Sequence, residues 1–199
     1  MRHTVDYFFA PNSPWTYLGH GRLARLIDTT PTQIRVLPVD LGDVFSVSGG
    51  LPLPKRAPQR QAYRLLELRR FSEALGVPLN VQPRFFPVAA DDAARLIVAA
   101  EMRHGSAAAM ALTGAIGAAV WAQERNIADA DTLASLLQAC GLEPDLLQRA
   151  HDSEVHSRYA ENTQAAKDAG VFGAPSYVVD GELFWGQDRL DFVEQRLTA

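Results

Sequence analysis

Residues 6–18, with the sequence DYFFAPNSPWTYL, decide the fold of this 199-residue chain. Residues 5–9 are aromatic and β-branched, which is the composition of a strand, and the loop-forming run 10–12 ends it. Ser13 followed by Pro14 then predicts a helix start, because serine is a favoured N-cap and proline is preorganised for the first helical position. A side-chain oxygen is thereby placed at the positive end of a helix, where a phosphate, a carboxylate or a thiolate is stabilised. From this local pattern alone, Ser13 is either a cap only or an anion-binding residue.

The composition is that of an ordinary globular protein, with 47% hydrophobic and 21% charged residues. The formal net charge of -4 gives no electrostatic footprint for nucleic acid, so no nucleic-acid partner is expected. No apolar run is long enough to cross a bilayer, and the chain enters its first strand without the apolar core of a signal peptide. The single cysteine, Cys140, excludes an internal disulfide and a cysteine-based metal cluster. We therefore expect a cytoplasmic protein with neither a membrane partner nor a metal site.

The order of the predicted elements is β-α-β, a block of helices, and then α-β-β-α. Residues 33–39 form the second strand, and a strand, a helix and a strand with a short return predict a parallel pair with a right-handed crossover. Near the other end, residues 176–179 and 182–185 form a hairpin around Asp180-Gly181, which is a strong two-residue turn signal. A final helix is predicted for residues 189–197.

The middle of the chain has a different character. Residues 60–169 are predicted to be nearly all helix. Residues 40–58 are rich in glycine and proline and predict a long irregular loop, and residues 80–90 predict a second loop. Long loops inside compact domains are usually functional or disordered, so both are candidates for the edge of a site.

This order of elements resembles the thioredoxin fold with a helical insertion, as in the DsbA-like oxidoreductases. Ser13-Pro14-Trp15-Thr16 lies where that family has its Cys-Pro-X-Cys motif, and Gly173-Ala174-Pro175 lies where it has its cis-proline loop. The resemblance implies an α/β, thioredoxin-like fold with a large all-helical insertion. Residues 1–45 and 165–199 are then expected to form the thioredoxin-like domain, and residues 46–164 the helical insertion domain.

Both cysteines of the redox motif are absent, since Ser13 and Thr16 replace them, and a hydroxyl cannot form a mixed disulfide. Three stretches carry a more specific pattern: residues 6–18, residues 171–175 and residues 185–190. This pattern resembles the 2-hydroxychromene-2-carboxylate isomerase family, which is related to the kappa-class glutathione transferases. The resemblance implies a glutathione-dependent enzyme, in which the bound tripeptide supplies the sulfur that the protein lacks, and it implies a homodimer.

The resemblance also implies which residues act on the sulfur. Ser13 is the expected catalytic residue, because its hydroxyl hydrogen can be donated to the glutathione sulfur and thereby favour the thiolate over the thiol. The free amides at the start of the helix and the helix dipole add to this effect. Ala174, beside a cis Pro175, is expected to offer its backbone N–H and C=O to the cysteinyl part of glutathione, as an added strand pairs with a sheet edge.

The other end of glutathione is expected at residues 185–188. Gly186 and Gln187 begin the last predicted helix, where Gln187 and the helix amides are expected to bind the γ-glutamyl carboxylate. Asp188 is expected to bind the ammonium group, or else is a plain N-cap. Trp185 either walls the site or belongs to the core.

Five further residues are candidates for binding a small aromatic substrate. Lys55 and Arg56 form a basic pair in the predicted loop, where they either bind the substrate's carboxylate or phenolate or are a solvated loop tip. Pro11, Trp15 and Phe86 either line an aromatic pocket or pack in the core.

Three functions remain open at this point. The first is isomerisation of 2-hydroxychromene-2-carboxylate to trans-o-hydroxybenzylidenepyruvate by reversible thiolate addition. The second is a kappa-type glutathione transferase or peroxidase, which the residues around Ser13 and Asp188 do not separate from the first. The third is a non-catalytic module that binds peptides at its cis-proline loop. Gly49-Gly50 stands where many relatives of the family have Gly-Asn, which leaves the exact substrate open.

Overall fold

A computed structural model of the protein describes residues 3–199, so Met1 and Arg2, which belong to the predicted thioredoxin-like domain, lie outside the described residues. Four strands form one mixed sheet in the order β2-β1-β3-β4. They are β1 (Thr4–Phe9), β2 (Gln33–Pro38), β3 (Ser176–Val179) and β4 (Glu182–Trp185). β1 pairs with β2 in parallel and with β3 antiparallel, and β3 and β4 form a hairpin. This is the sheet of a thioredoxin fold, and the predicted fold class is confirmed.

Helices cover the sheet and make up most of the chain between β2 and β3. They are α1 (Pro14–Thr29), α2 (Leu41–Ser48), α3 (Pro58–Leu75), α4 (Asp91–His104), α5 (Ser106–Trp121), α6 (Ala130–Ala139), α7 (Leu146–Arg149), α8 (Ser153–Asp168) and α9 (Leu190–Thr198). Short 3₁₀ turns at Leu53–Lys55 and Gln187–Arg189 precede α3 and α9. Within residues 3–199, none of the helices has the length and apolar character needed to cross a membrane.

The helical insertion predicted from the sequence is therefore present, as α2 to α8. The domain boundaries proposed after residues 45 and 164 fall inside α2 and α8. The division into two domains stays a prediction.

The predicted irregular segment, residues 40–58, contains a two-turn helix, α2. An oxygen of the Asp40 side chain accepts a hydrogen bond from the Asp43 N–H at 3.1 Å, Val44 is buried, and Gly49 ends the helix with a left-handed φ of 74°. The prediction of a loop throughout was wrong. Asp40 and Gly49 are sequence signals for the start and the end of this helix, but the surrounding glycines and prolines favoured the prediction of a loop.

One hydrophobic core joins the sheet to the insertion. Its members include residues of β1, α4 and α5 that are at most 1% exposed: Val5, Tyr7, Phe9, Leu96, Ile97, Leu112, Ile116 and Trp121. Close approach of α5 to α1 depends on Gly117, where a Cβ would lie 3.1 Å from the Tyr17 ring. The insertion thus packs directly against α1, the helix whose N-terminus carries Ser13.

His20 couples α1 to α5 inside this core. Its side chain is 7% exposed, and its Nε2 lies 2.9 Å from the carbonyl oxygen of Met110. Because a carbonyl only accepts, Nε2 carries the hydrogen, and the Tyr7 hydroxyl donates to Nδ1 at 3.4 Å. Burial lowers the pKa of His20 to about 4, so the imidazole is neutral near pH 7.

We expect His20 to make the free energy of unfolding fall as the pH is lowered from about 6.5 to about 4. In this window the unfolded chain binds a proton at His20 that the folded protein does not. The protein keeps its full stability with respect to His20 above pH 6.5. Acidification to about pH 4 lowers the free energy of unfolding by about 3 kcal/mol. Urea unfolding at about pH 7 and about pH 4.5 measures the loss.

His20→Asn should lose less stability on acidification than the wild type, because the buried titrating group is gone. His156 is exposed on α8, so His156→Asn should keep the wild-type response. An unchanged response in His20→Asn would contradict the assignment.

Candidate active site

Ser13 closes the loop between β1 and α1 and caps the helix. Its Oγ accepts a hydrogen bond from the Thr16 N–H at 3.3 Å, and its own N–H donates to the carbonyl of Ala10 at 3.0 Å. Pro14 is the first helical residue, so the predicted cap is confirmed. Since Oγ acts as the acceptor in this bond, the hydroxyl hydrogen remains able to donate to a ligand. A ligand accepting it would lie at the positive end of α1.

The predicted cis-proline loop lies beside the Ser13 loop. The Ala174–Pro175 peptide bond is cis, as predicted. β1 and β3 are antiparallel with Phe8 opposite Ser176, so the end of β1 and the start of β3 lie at the same edge of the sheet. The segment that leads into Ser13 and the cis-proline loop therefore leave the sheet at that edge.

The end of β4 reaches the same edge of the sheet. The Gly186 N–H donates to the carbonyl of Pro175 at 2.9 Å. Gly186 has a φ of 105°, which favours glycine, and a Cβ at this position would lie 2.5 Å from Oδ1 of Asp188. The Asp188 carboxylate is exposed, and its Oδ2 is 3.0 Å from Nη1 of Arg189. An exposed carboxylate is thus held next to the cis-proline loop.

Trp185 and Gln187 lie on either side of Gly186 in the sequence, and their surroundings differ. Trp185 is 51% exposed and is not a core residue; its ring lies 4.8 Å from that of Phe172 and covers Gly173, where a Cβ would be 2.4 Å from the indole nitrogen. Gln187 is 3% exposed and packs against Gly19 of α1, where a Cβ would lie 2.7 Å from that of Gln187. The roles given to both residues in binding glutathione stay predictions.

The first turn of α1 faces α3 and the loop at residues 80–90. The Trp15 ring meets that of Phe71 edge-on, with the ring centres 5.9 Å apart. The Asn12 side chain donates to the carbonyl of Val88 at 2.8 Å. The first turn of α1 therefore contacts α3, and the loop before it contacts residues 80–90.

The three apolar candidates for a substrate pocket differ in burial. Pro11 is buried, and Trp15 is partly buried against α3. Phe86 is partly buried, packs with the main core, and lies 4.8 Å from the Trp121 ring. Pro11 and Phe86 thus have packing roles whether or not a substrate also meets them.

The basic pair divides into an exposed and a partly buried residue. Lys55 is exposed at the end of the 3₁₀ turn. Arg56 is partly buried, and its Nε donates to the carbonyl of Leu51 at 2.8 Å. Burial, and then the positive charge of Arg60, lower the pKa of Arg56. Arg56 therefore also helps to shape the loop in which it lies.

The glycine pair before these residues is explained by packing. Gly49 is the left-handed residue after α2, and a Cβ on Gly50 would lie 2.0 Å from the Phe45 ring. A side chain at position 50 would therefore require the Phe45 ring to move. The asparagine expected there from the family resemblance does not fit the observed arrangement.

Two polar residues, Asn12 and Arg64, were not predicted from the sequence. Asn12 could have been noticed, because it is the polar residue directly before Ser13. Arg64 could not, because α3 contains several arginines and only the fold places this one with its guanidinium carbon 5.2 Å from the centre of the Phe86 ring and 5.7 Å from that of Trp121.

The motif carries hydroxyls where a redox protein needs thiols. Thr16 is 3% exposed, and its hydroxyl has no hydrogen-bond partner among the described residues 3–199. Cys140 follows α6, and burial raises the pKa of its thiol, which makes it a poor nucleophile. The site therefore supports stabilisation of an external anion and does not support disulfide exchange.

A mixed four-stranded sheet, with a capped helix N-terminus beside a cis-proline loop, defines the thioredoxin-fold class. Residues 4–198 match the family model described as the DSBA-like thioredoxin domain. The solved structure of a 2-hydroxychromene-2-carboxylate isomerase is similar, with a TM-score of 0.84 and 25% identity, over 98% of this chain and 94% of the other.

Full-length relatives refine this classification. The chain is 28% identical to 2-hydroxychromene-2-carboxylate isomerase of Sphingobium xenophagum, over 99% of each chain. It is 31% identical to the protein of that name from Pseudomonas sp. (strain C18), over 96% of this chain and 88% of the relative. It is 24% identical to glutathione S-transferase kappa 1 of Homo sapiens, over 99% and 92%. The chain therefore belongs to the DsbA-like thioredoxin-domain family and, within it, groups with the 2-hydroxychromene-2-carboxylate isomerases.

Proposed function

We propose that this protein is a glutathione-dependent isomerase that converts 2-hydroxychromene-2-carboxylate, or a close analogue, to trans-o-hydroxybenzylidenepyruvate. The observation that carries the proposal is the Ser13 hydroxyl, which caps α1 beside the cis-proline loop in a motif without cysteine. Relatives named as isomerases support the reaction class, and a relative named as a glutathione transferase supports the cofactor.

The residues present fit glutathione. Ser13 offers a hydroxyl hydrogen for a thiolate, and Asp188 offers an exposed carboxylate for an ammonium group. Within residues 3–199, the backbone N–H and C=O of Ala174 have no hydrogen-bond partner in the loops and turns, so they are available to an added strand. Gln187 and the backbone of the 3₁₀ turn at Gln187–Arg189 are assigned to the γ-glutamyl carboxylate. Trp185 is assigned to cover the γ-glutamyl end of glutathione.

Ser13 acts by favouring the ionised form of the bound thiol. Lowering a thiol pKa by one unit takes about 1.4 kcal/mol. A hydrogen bond to a charged group contributes about 1.5–3 kcal/mol, and the helix N-terminus adds to it. Bound glutathione would supply the thiolate that adds to the conjugated carbon of the substrate. The addition turns the carbon–carbon double bond into a single bond, about which the substrate can rotate before the thiolate leaves.

The substrate is assigned to the space between the first turn of α1, α3 and the loop at residues 80–90. Trp15 and Phe86 would present aromatic surface to it, with Pro11 behind them. Lys55 and Arg56 are assigned to its carboxylate or phenolate. The proposal also includes a homodimer, which rests on the family resemblance, and a cytoplasmic location, which rests on the composition of the sequence.

An activity panel tests the proposal. Purified protein is given glutathione together with 2-hydroxychromene-2-carboxylate, with 1-chloro-2,4-dinitrobenzene, or with a peroxide. We expect isomerisation that requires glutathione but does not consume it. Conjugation or peroxide reduction without isomerisation would favour the kappa-type alternative, which the human relative supports. Failure to bind glutathione would contradict both enzyme functions and favour the peptide-binding module.

A further inference from the structure

Arg64 on α3 is a partly buried cation that the fold does not neutralise. Its guanidinium carbon lies 5.2 Å from the centre of the Phe86 ring and 5.7 Å from that of Trp121, within the range of cation–π contacts. Arg70, on the same helix, is instead exposed and ion-paired with Glu67. Among residues 3–199, no carboxylate forms an ion pair with Arg64, and the charge that acts on it most is the like charge of Arg56.

Three arginines concentrate positive charge at this place. Burial, and then the nearby charge of Arg56, lower the pKa of Arg64 to about 10. Arg60 in turn acts on Arg56, which is already bonded to the carbonyl of Leu51. Removing a cation from water without an anionic partner is costly. Arg64 and Arg56 are partly buried, whereas Arg60 is exposed. A partly desolvated cation without an anionic partner is suited to an anionic ligand.

Arg64 lies on a helix, and beside a loop, that both contact the segment around Ser13. Phe86, under the Arg64 guanidinium, stands two residues before Val88, whose carbonyl binds Asn12. Farther along α3, Phe71 packs against Trp15. Arg64 and Phe71 are seven residues apart, which puts them on one face of the helix and roughly 10 Å apart along its axis.

Aromatic contacts also position the guanidinium. Its carbon lies 5.2 Å from the centre of the Phe86 ring and 5.7 Å from that of Trp121, and its N–H groups have no hydrogen-bond partner among residues 3–199. A guanidinium with free N–H groups matches a carboxylate with two parallel hydrogen bonds. Lys55 is exposed and has neither the planar fork nor the aromatic support.

We propose that Arg64 is a specificity-determining residue that binds the carboxylate of an aryl carboxylate substrate, with Phe86 and Trp121 positioning its guanidinium. Of the two groups assigned to Lys55 and Arg56, the phenolate then remains to them. The inference deepens the proposed function and rests on it for the reaction that follows binding. Recognition of the anion itself requires neither glutathione nor turnover.

Calorimetric binding of chromone-2-carboxylate, a stable aryl carboxylate, tests this on the full chain without glutathione. The wild type should bind the acid at least about tenfold more tightly than its neutral methyl ester. Arg64→Met keeps the length of the side chain but removes its charge, and should weaken binding of the acid about 10- to 100-fold while leaving the ester unchanged. Arg64→Lys should recover only part of the loss, because the planar fork is missing.

Arg69 is an exposed arginine on the same helix, so Arg69→Met is the matched control. This variant should bind the acid as the wild type does. Thermal unfolding verifies that each variant is folded. In turnover, Arg64→Met should raise KM for the carboxylate substrate.

Two results overturn the inference: equal binding of the acid by Arg64→Met and the wild type, or no binding of the acid by the wild type. Arg64-dependent binding of the acid without glutathione-dependent isomerisation would uphold the inference while contradicting the proposed function.

Discussion

Replacing Ser13 by alanine is expected to lower kcat/KM for the glutathione-dependent isomerisation by about two to three orders of magnitude. The substitution removes the only hydroxyl that caps α1, and with it the proposed hydrogen bond to the developing and departing thiolate. Its loss raises the pKa of the bound thiol and so reduces the fraction present as thiolate near pH 7. Steady-state kinetics with 2-hydroxychromene-2-carboxylate at saturating glutathione measure the effect.

Loss of a helix cap also costs about 1 kcal/mol of stability, which must be separated from the loss of chemistry. Asp129→Ala is the matched control, because the Asp129 carboxylate caps α6 by accepting from the Thr132 N–H at 2.8 Å. We expect both variants to lose similar stability and only Ser13→Ala to lose activity. Turnover by Ser13→Ala within about twofold of the wild type would show that Ser13 is a cap and nothing more.

Replacing Asp188 by asparagine is expected to weaken glutathione binding about 10- to 100-fold, with kcat at saturating glutathione preserved. The carboxylate next to the cis-proline loop loses its charge, and the proposed bond to the γ-glutamyl ammonium loses its charge-assisted character. Calorimetric titration with glutathione measures the change.

Asp191→Asn is the control for this second prediction, since Asp191 lies three residues farther along, is exposed, and pairs with Arg22. A desamino analogue of glutathione sharpens the test. Asp188→Asn and the wild type should bind this analogue equally, because it has no ammonium to recognise. A variant that binds glutathione as tightly as the wild type would make Asp188 a structural residue of the turn.

Local sequence signals located the parts of the site that lie close together in the chain. Ser13 before Pro14 marked the start of α1, and Asp180-Gly181 marked the hairpin whose strands have the predicted bounds. The helix start and the hairpin depend on the conformational preference of one or two residues, which can be predicted from the local sequence. The cis bond before Pro175 was instead expected from the family resemblance, and the cis bond before Pro87 was not predicted.

Contacts between distant segments could not be predicted in this way. Arg64 resembles its neighbouring arginines until α3 is packed over Phe86 and Trp121. The burial of Gln187 depends on its meeting Gly19 of another helix. Both facts follow from tertiary packing, which overrides what helix or loop composition suggests.

Titration of the thiol of bound glutathione tests the central claim most directly. Thiolate absorbance is followed against pH in the complex with the wild type and in the complex with Ser13→Ala. We predict a thiol pKa at least about one unit below its ordinary value of about 8.5 in the wild-type complex, and a return toward that value in the variant. A bound thiol that titrates at its ordinary value, or at the same pH in both complexes, would contradict the role assigned to Ser13.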